Sequence, residues 1–282
     1  MQPEICTARA ADGTVAPMAE SFIRYEHGEG ADTGIVTITI DRAEKRNAMT
    51  YAMLGDFIAQ VARAGDDDAC RVVIVTGVPG AFCAGTDLAD LATIPGESRG
   101  LRGSATDEHA WWPLVSCPKP VIGAIDGPAV GMGAEFSSQC DVRLATPRAR
   151  FAWNFAHRGL VPDTGAGSWL LPRLLGPSLA LRLLYSGEFI DAEEAHRIGY
   201  VHQVVPSEDL QEAALTEARR YLLGSPMSHR LMKSLVYEGL DRTHQEHLVA
   251  HTAAMAGCFK SDDHREGVAS FLERRPANFT GR

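Results

Sequence analysis

The sequence predicts an α/β fold whose C-terminal third is helical. In the first half, four runs of β-branched and apolar residues, at 35–40, 71–76, 121–125 and 141–146, alternate with polar or helical stretches. Beyond Gly167 the patterns are mainly helical. Strands that alternate with helices and then give way to helices are typical of an α/β domain with a helical C-terminal region. A chain of 282 residues is long enough to bury its own core.

The first elements have recognisable start and stop signals. The strand at 35–40 ends at Asp41, and Thr50 is a suitable N-cap for the helix that follows. That helix places its apolar residues on one face, at Leu54, Phe57, Ile58 and Val61. The strand at 71–76 is stopped by Gly77, and its continuous apolar run indicates burial on both faces, as in a parallel or mixed sheet.

The remaining elements are mostly helices. Helical patterns cover residues 168–175, 177–185, 192–198, 208–223, 228–240, 244–259 and 263–272. We predict three regions: a flexible tail over 1–20, a core over 21–205 and a C-terminal helical region over 206–282. The tail is predicted because residues 1–20 mix Ala, Gly, Thr and Pro without periodicity.

Composition and charge exclude several classes of protein. Asp and Glu number 36 against 27 Lys and Arg, a net charge of −9, whereas a nucleic-acid-binding domain normally carries a basic face. A membrane-spanning helix needs about 18 consecutive apolar residues, and the sequence contains no such run. The N-terminus lacks the basic and apolar regions of a signal peptide, and the six cysteines are scattered without a CxxC pair. We therefore expect a reduced, soluble, cytoplasmic protein with no nucleic-acid or membrane partner.

Two short patterns suggest other functions but lack the context that these functions need. Residues 96–100 match the G-x-S-x-G elbow of serine hydrolases, yet no buried strand precedes them and no helix pattern follows, so a loop is favoured. His244, His247 and His251 share one face of a predicted helix and could hold zinc, but no HExxH arrangement accompanies them. A solvated or subunit-facing helix surface is the favoured explanation of these histidines, and we expect no metal site.

Two glycine-bearing segments are more informative. Residues 80–88 follow the strand at 71–76, and residues 127–135 follow the strand at 121–125. Each is interpreted as a small-residue turn that leads into a helix, where backbone N–H groups lack partners. Two such turns on adjacent strands could aim two N–H donors at one oxygen and form an oxyanion hole. Two ordinary tight turns remain the alternative at this point.

Together with other motifs, these segments resemble the crotonase superfamily, the enoyl-CoA hydratase/isomerase family. The similarity runs from about Ile35 to Arg282. It rests on the two turns and on residues 41–49, 119–122, 159–163, 262–267 and 271–275.

The resemblance implies a crotonase-like spiral of ββα turns, a helical C-terminal trimerisation region and a homotrimer or dimer of trimers. It implies an acyl-CoA substrate, with coenzyme A as part of the substrate and no separate cofactor. The backbone N–H groups of Thr86 and Met132 match those that hold the thioester oxygen. Family members often have glycine at the Met132 position, and a side chain there could narrow the acyl pocket. The positions that match CoA-binding positions are Lys45, Arg46, Ala84, Asp87 and Leu88.

The resemblance also assigns acids to catalysis. Glu135 matches the first glutamate of the hydratases, but the position of the second is Phe155. Asp163 matches the catalytic aspartate of isomerases, and residues 159–163 with 169–173 are most similar to phenylacetate-pathway ring isomerases. Glu135 as a carboxylate that serves only the helix dipole, and Asp163 as a plain turn residue, are the alternatives.

These residues favour double-bond isomerisation of an enoyl-CoA through a thioester enolate, with Asp163 moving a proton and Glu135 assisting. A hydratase that works with Glu135 alone, or with Asp163 as its partner, is the first alternative. A protein that binds acyl-CoA without turnover is the second. The acyl group is not predicted, because His109, Trp111 and Trp112 could line a bulky pocket or simply pack a helix.

Overall fold

The computed structural model describes residues 21–93 and 108–282. Within these two ranges there are nine strands: β1 (Ile23–His27), β2 (Ile35–Ile40), β3 (Val72–Gly77), β4 (Val121–Ile125), β5 (Pro128–Val130), β6 (Val142–Ala145), β7 (Arg150–Ala152), β8 (Ile190–Asp191) and β9 (Gln203–Val204). The predicted tail over 1–20 and the hydrolase-like motif over 96–100 lie outside the described residues.

Twelve α-helices complete the described chain. They are α1 (Tyr51–Asp66), α2 (Leu88–Thr93), α3 (Glu108–Trp111), α4 (Pro113–Ser116), α5 (Met132–Gln139), α6 (Ala166–Leu175), α7 (Pro177–Ser186), α8 (Ala192–Arg197), α9 (Leu210–Leu222), α10 (Pro226–Gly239), α11 (His244–Lys260) and α12 (Asp262–Glu273). The Thr50 hydroxyl accepts a hydrogen bond from the Met53 N–H, so Thr50 caps α1 as its sequence predicts. None of the described helices is long and apolar enough to cross a membrane.

The main sheet has six strands in the order β1-β2-β3-β4-β6-β9. β1 is antiparallel to β2, and every other neighbouring pair is parallel. All five residues of β4 and the first five of β3 are buried. The mixed sheet with central strands covered on both faces agrees with the apolar runs of these strands.

A smaller sheet, in the order β5-β7-β8, lies beside the main one. β4, β5 and α5 form one ββα turn, and β6, β7 and α6 form the next. Before them, Cys83 makes an isolated parallel bridge to Ala129 of β5. This repetition confirms the spiral of ββα turns that the resemblance implies.

Two apolar clusters cover the two faces of the main sheet. The larger lies between the sheet and helices that include α1, α5, α6 and α7. In the smaller, Leu210, Ala214 and Ala218 of α9 pack against residues of four strands, such as Ile74 and Ile122. α9 therefore completes the core of the sheet, whereas α10 and α11, both fully described, contain no buried residue. The division between 205 and 206 stays a prediction.

Two expectations about secondary structure were wrong. The region after Gly167 contains β8 and β9 as well as helices, and residues 127–135 contain β5 before α5 begins. These strands have only two or three residues, which is too short for a period-2 pattern to be visible in the sequence. Pairing with strands that are distant along the chain stabilises them, so only the tertiary structure reveals them.

Candidate active site

Three segments that follow β3, β4 and β7 meet around a cavity of about 130 Å³. Its lining residues are Ala84, Gly85, Thr86, Leu88, Leu91, Val130, Gly131, Met132, Asn154, Phe155, Arg158, Leu160 and Asp163. Thr86, Met132 and Asp163, predicted from three separate motifs, therefore share one cavity. Among the described lining residues, Asp163 is the only carboxylate and Arg158 the only cation.

The pairing of the strand-like segment 85–87 determines the direction of the Thr86 N–H. The Met49 N–H donates to the Gly85 carbonyl, and the Asp87 N–H donates to the Met49 carbonyl, both at 2.8 Å. In a parallel pair, the residue between these two bonds uses neither of its own backbone groups for the pairing. The N–H of Thr86 thus points away from Met49, on the side of the chain that is open for another acceptor.

Met132 supplies a second donor from the start of α5. It is the first residue of the helix, where an N–H has no partner within its own helix. Gly131 precedes it with φ 54°, a value that favours glycine. Gly85 lies close by, since a Cβ built on it would be 3.7 Å from the Met132 nitrogen and 2.9 Å from the Val130 carbonyl oxygen. The backbone beside Thr86 is therefore packed directly against the backbone that leads into α5.

Glu135 lies behind the cavity rather than in its wall. It is fully buried in the first turn of α5, and its Oε2 accepts a hydrogen bond from the Thr164 hydroxyl at 2.7 Å. Gly167 packs against the same carboxylate, because a Cβ there would lie 2.5 Å from Oε1. The structure thus joins Glu135 to the turn that carries Asp163, and it does not place Glu135 among the residues that line the cavity.

Asp163 is half-buried in the turn before α6, which is closed by a hydrogen bond from the Gly165 N–H to the Pro162 carbonyl at 3.2 Å. Its carboxylate lies near Cys83. Burial, with a smaller contribution from the charge of Asp163, raises the pKa of the Cys83 thiol to about 12. The thiol is therefore protonated near neutral pH and cannot serve as a nucleophile.

Phe155 closes the cavity on another side. Only 8% of the residue is exposed, and its ring lies 3.9 Å from a Cβ built on Gly131. The resemblance aligns this position with the second glutamate of the hydratases. An apolar ring here offers no hydrogen bond to a water molecule.

The predicted CoA-binding positions divide into two groups. Ala84 and Leu88 line the cavity, and Leu88 is 55% exposed. Lys45 and Arg46 are exposed on a loop that reaches the cavity wall, because the Ala84 N–H donates to the Arg46 carbonyl at 3.1 Å. This bond places Arg46 next to Ala84 of the cavity wall, with Lys45 adjacent to it in the chain.

Asp87 has a different environment from its predicted neighbours. Its carboxylate accepts a hydrogen bond from Arg42 Nη1 at 2.7 Å and another from the Ala89 N–H at 2.9 Å. The hydrogen bond from Arg42 is the main reason that the pKa of Asp87 is lowered. The side chain therefore stabilises the start of α2 and the loop beside it.

Comparisons with known proteins identify the chain's relatives. Residues 30–282 match the family model described as enoyl-CoA hydratase/isomerase. The chain belongs to the enoyl-CoA hydratase/isomerase family. It is 35% identical over 269 residues to a probable enoyl-CoA hydratase of Rhodobacter capsulatus, covering 94% of this chain and 100% of that protein. It is also 35% identical over 259 residues to 1,2-epoxyphenylacetyl-CoA isomerase of Escherichia coli K12, covering 89% and 97%.

Solved structures of this family share the fold. A putative enoyl-CoA hydratase from Streptomyces coelicolor superposes with a TM-score of 0.84 at 31% identity, over 98% of this chain and all of the other. The crotonase fold and the assignment to lyases or isomerases are thus established. The relatives include both hydratases and an isomerase, so family membership does not select between these reactions.

Three residues of this site were not predicted from the sequence. Thr164 donates a hydrogen bond to Glu135, and Asn154 and Arg158 line the cavity. No motif marks them, although Thr164 directly follows Asp163 and Asn154 precedes Phe155.

The His247 and His251 rings stack with centroids 6.5 Å apart, but the described residues contain no group of three side chains suited to hold a metal.

Proposed function

We propose that this enoyl-CoA hydratase/isomerase family enzyme moves the double bond of an enoyl-CoA. The observation that carries the proposal is the composition of the cavity wall. Asp163 is the only carboxylate among its described residues, the backbone donors of Thr86 and Met132 lie in the same wall, and Phe155 occupies the aligned position of the second hydratase glutamate. This wall suits the transfer of a proton between carbons better than the activation of water.

The proposed chemistry starts from the acidity of carbon next to a thioester. In a 3-enoyl-CoA, Asp163 would remove a proton from C2, and the electron pair would move onto the thioester oxygen. The N–H groups of Thr86 and Met132 would stabilise that charge, and each such donor contributes about 10²–10³ in rate. Return of the electrons forms the C2–C3 double bond, and Asp163 delivers the proton to C4, which leaves the carboxylate as it began.

Glu135 would support this step without lining the cavity. Its hydrogen bond with the Thr164 hydroxyl connects α5, which begins with Met132, to the turn that carries Asp163. The donor and the base are thereby held on one rigid unit. Glu135 would assist by fixing this geometry, while Lys45 and Arg46 would meet the phosphates of coenzyme A at the cavity surface.

Hydration of a 2-enoyl-CoA is the second candidate, because the probable hydratase of Rhodobacter capsulatus is a relative. Thr164 covers Glu135, so a hydratase would have to hold its water with Asp163 or after movement of Thr164. A protein that binds acyl-CoA without turnover is the third candidate. It would have no need of a carboxylate in the cavity.

The deciding experiment supplies the protein with a 3-enoyl-CoA and, separately, a 2-enoyl-CoA, and follows the absorbance of the conjugated thioester. We expect a rise with the 3-enoyl substrate and little change with the 2-enoyl one. Asp163→Asn should lower kcat by about 10²–10⁴, the usual contribution of a general acid–base, with unchanged affinity for a CoA product. Asp209→Asn, an exposed acid at the start of α9, is the matched control.

Other outcomes reject the proposal in distinct ways. Loss of the 2-enoyl absorbance with formation of a 3-hydroxyacyl product would show a hydratase. Full activity of Asp163→Asn would show that another group is the base. CoA binding without turnover of either substrate would favour the binding protein.

We also propose a homotrimer or a dimer of trimers, supported by the surface of the last three helices. Several large apolar residues there are more than half exposed: Met232, Val236, Val249, Phe259, Phe271 and Leu272. Apolar surface of this extent normally marks a contact with another protein. Light scattering should give three or six times the mass of one chain, and a monomer at micromolar concentration would contradict the proposal.

A further inference from the structure

Trp112 contacts the turn that carries the proposed base. It lies between α3 and α4, half-buried, and its indole Nε1–H donates to the Thr164 carbonyl at 2.9 Å. Thr164 directly follows Asp163, so this bond is one residue from the carboxylate. Trp112 and Thr164 are 52 residues apart along the chain, so only the tertiary structure brings them into contact.

The indole is itself held in place. Its ring packs against the ring of Trp169, with centroids 4.9 Å apart and planes at 35°. The guanidinium of Arg173 lies over the Trp169 ring, 3.9 Å from its centroid. The same guanidinium forms an ion pair with Asp241 at 3.0 Å. Offset aromatic pairs and cation–π contacts of this kind favour a defined ring orientation. The N–H of Trp112 is therefore aimed at the carbonyl by its packing.

The turn is anchored from two sides. Glu135 holds the Thr164 side chain, and Trp112 holds the Thr164 carbonyl. Gly165 follows with φ 79°, and a Cβ there would lie 4.0 Å from the Trp112 nitrogen. The Thr164 carbonyl and the Gly165 N–H belong to one peptide, and that N–H closes the turn by donating to the Pro162 carbonyl. Because both anchors act on Thr164, losing either one would let this turn shift, and with it the Asp163 carboxylate.

We propose that Trp112 is a positioning residue for proton transfer: its indole N–H fixes the Thr164–Gly165 peptide of the turn that presents Asp163 to the cavity. This inference rests on the proposed role of Asp163. Trp112 is not among the described residues that line the cavity, so it acts on the orientation of the base and not on substrate affinity. Misplacement of a reacting group by about 1 Å can cost about 10²-fold in rate.

The test is Trp112→Phe, which keeps a ring for the stack with Trp169 and removes the N–H. We expect kcat to fall about 10- to 100-fold on the enoyl-CoA that the wild-type protein converts, while KM changes less than about threefold. Trp111→Phe is the matched control, since it removes a neighbouring indole and keeps the Trp111 backbone carbonyl that accepts a hydrogen bond from the Gln139 side-chain amide. The control should retain kcat within about twofold.

Several results would overturn the proposal. These are a Trp112→Phe kcat within twofold of wild type, a loss that appears in KM instead, or an equal loss in Trp111→Phe, which would indicate helix packing. A wild-type protein that converts neither the 3-enoyl nor the 2-enoyl substrate would instead reject the proposed function, and the Trp112 role with it.

A measurement on the unmodified protein covers the case in which Trp112→Phe does not fold. In protein labelled with ¹⁵N at tryptophan, the indole N–H of Trp112 should exchange with D₂O at least about tenfold more slowly than that of a free indole, because it is hydrogen-bonded. Its signal is assigned by elimination with Phe variants of the other three tryptophans. Exchange at the free rate would show that the bond to Thr164 is absent in solution and would overturn the inference.

Discussion

Replacing Gly133 with alanine should damage both the stability and the activity of the enzyme. Gly133 is the second residue of α5, and a Cβ there would lie 2.1 Å from the Cys83 carbonyl oxygen and 2.8 Å from the Cys83 Cβ. Ordinary contact begins at 3.4 Å. To bring the distance between the new Cβ and the Cys83 carbonyl oxygen from 2.1 to 3.4 Å, the two backbones must move apart by about 1.3 Å. The clashing oxygen belongs to the backbone, so no flexible side chain can absorb this movement.

The magnitudes follow from this movement. Overpacking a buried site costs about 1–3 kcal/mol, and the hydrogen bond from the Val130 N–H to the Cys83 carbonyl would lose about 1 kcal/mol when its atoms separate. We expect the free energy of unfolding to fall by about 3 kcal/mol. The same movement displaces Met132 from Thr86, so kcat should fall about 10²-fold in the protein that remains folded.

Urea unfolding followed by circular dichroism gives the first quantity, and the absorbance assay with a 3-enoyl-CoA gives the second. Gly55→Ala is the matched control, since Gly55 is an exposed residue of α1 whose Cβ would meet nothing within 4 Å. That control should gain about 0.5–1 kcal/mol, the usual benefit of alanine within a helix. A Gly133→Ala protein as stable and as active as wild type would refute the close packing of α5 against Cys83.

Three further changes test other parts of the molecule. Phe155→Glu should raise hydration of a 2-enoyl-CoA at least about tenfold, measured as 3-hydroxyacyl product, because it returns a carboxylate to the cavity wall. Lys233→Met should lower the free energy of unfolding by about 2 kcal/mol, because it removes an ammonium that donates to Asp141 at 2.9 Å from a side chain that is only 9% exposed. Asp126 is buried, which alone would raise its pKa, but hydrogen bonds from Arg148, Thr146 and the Gly80 N–H together hold that pKa below 3.8. The stability that ionised Asp126 gives the folded protein is therefore fully present above the pKa of this aspartate in the unfolded chain, and it is lost as pH falls below about 4.

Each of these has its own control. Phe155→Gln adds polarity without charge and should gain no hydration, so equal gains in both variants would show that the carboxylate is irrelevant. Lys260→Met, an exposed lysine at the end of α11, should leave stability unchanged. For Asp126, unfolding curves of wild type and Asp126→Asn should differ at pH 7 and converge toward pH 3. A constant difference across that range would contradict the lowered pKa.

Local patterns were sufficient for the larger elements of the fold. The runs at 35–40, 71–76, 121–125 and 141–146 correspond to β2, β3, β4 and β6, because each is long enough to show its composition. Helix α1 was predicted with its cap and its buried face, including Leu54 and Phe57. β1 has alternating charges along an edge, so its sequence resembles a polar loop.

The candidate site divides in the same way. Family resemblance was enough to select Thr86, Met132 and Asp163, and the structure places all three around one cavity. For Glu135, the helix dipole favours the ionised form and burial opposes it, and the sequence alone could not decide which effect is larger. The structure shows that it is fully buried and bonded to Thr164.

The sequence by itself determined the strands and helices that have enough residues to carry a periodic pattern, and it determined the family. Only the tertiary structure decided which polar groups face the cavity and which stand behind it. Asp87 bonds Arg42, Glu135 bonds Thr164, and Trp112 reaches the same threonine across 52 residues. Such contacts depend on the relative placement of distant segments, and that placement is set by the packing of the whole spiral.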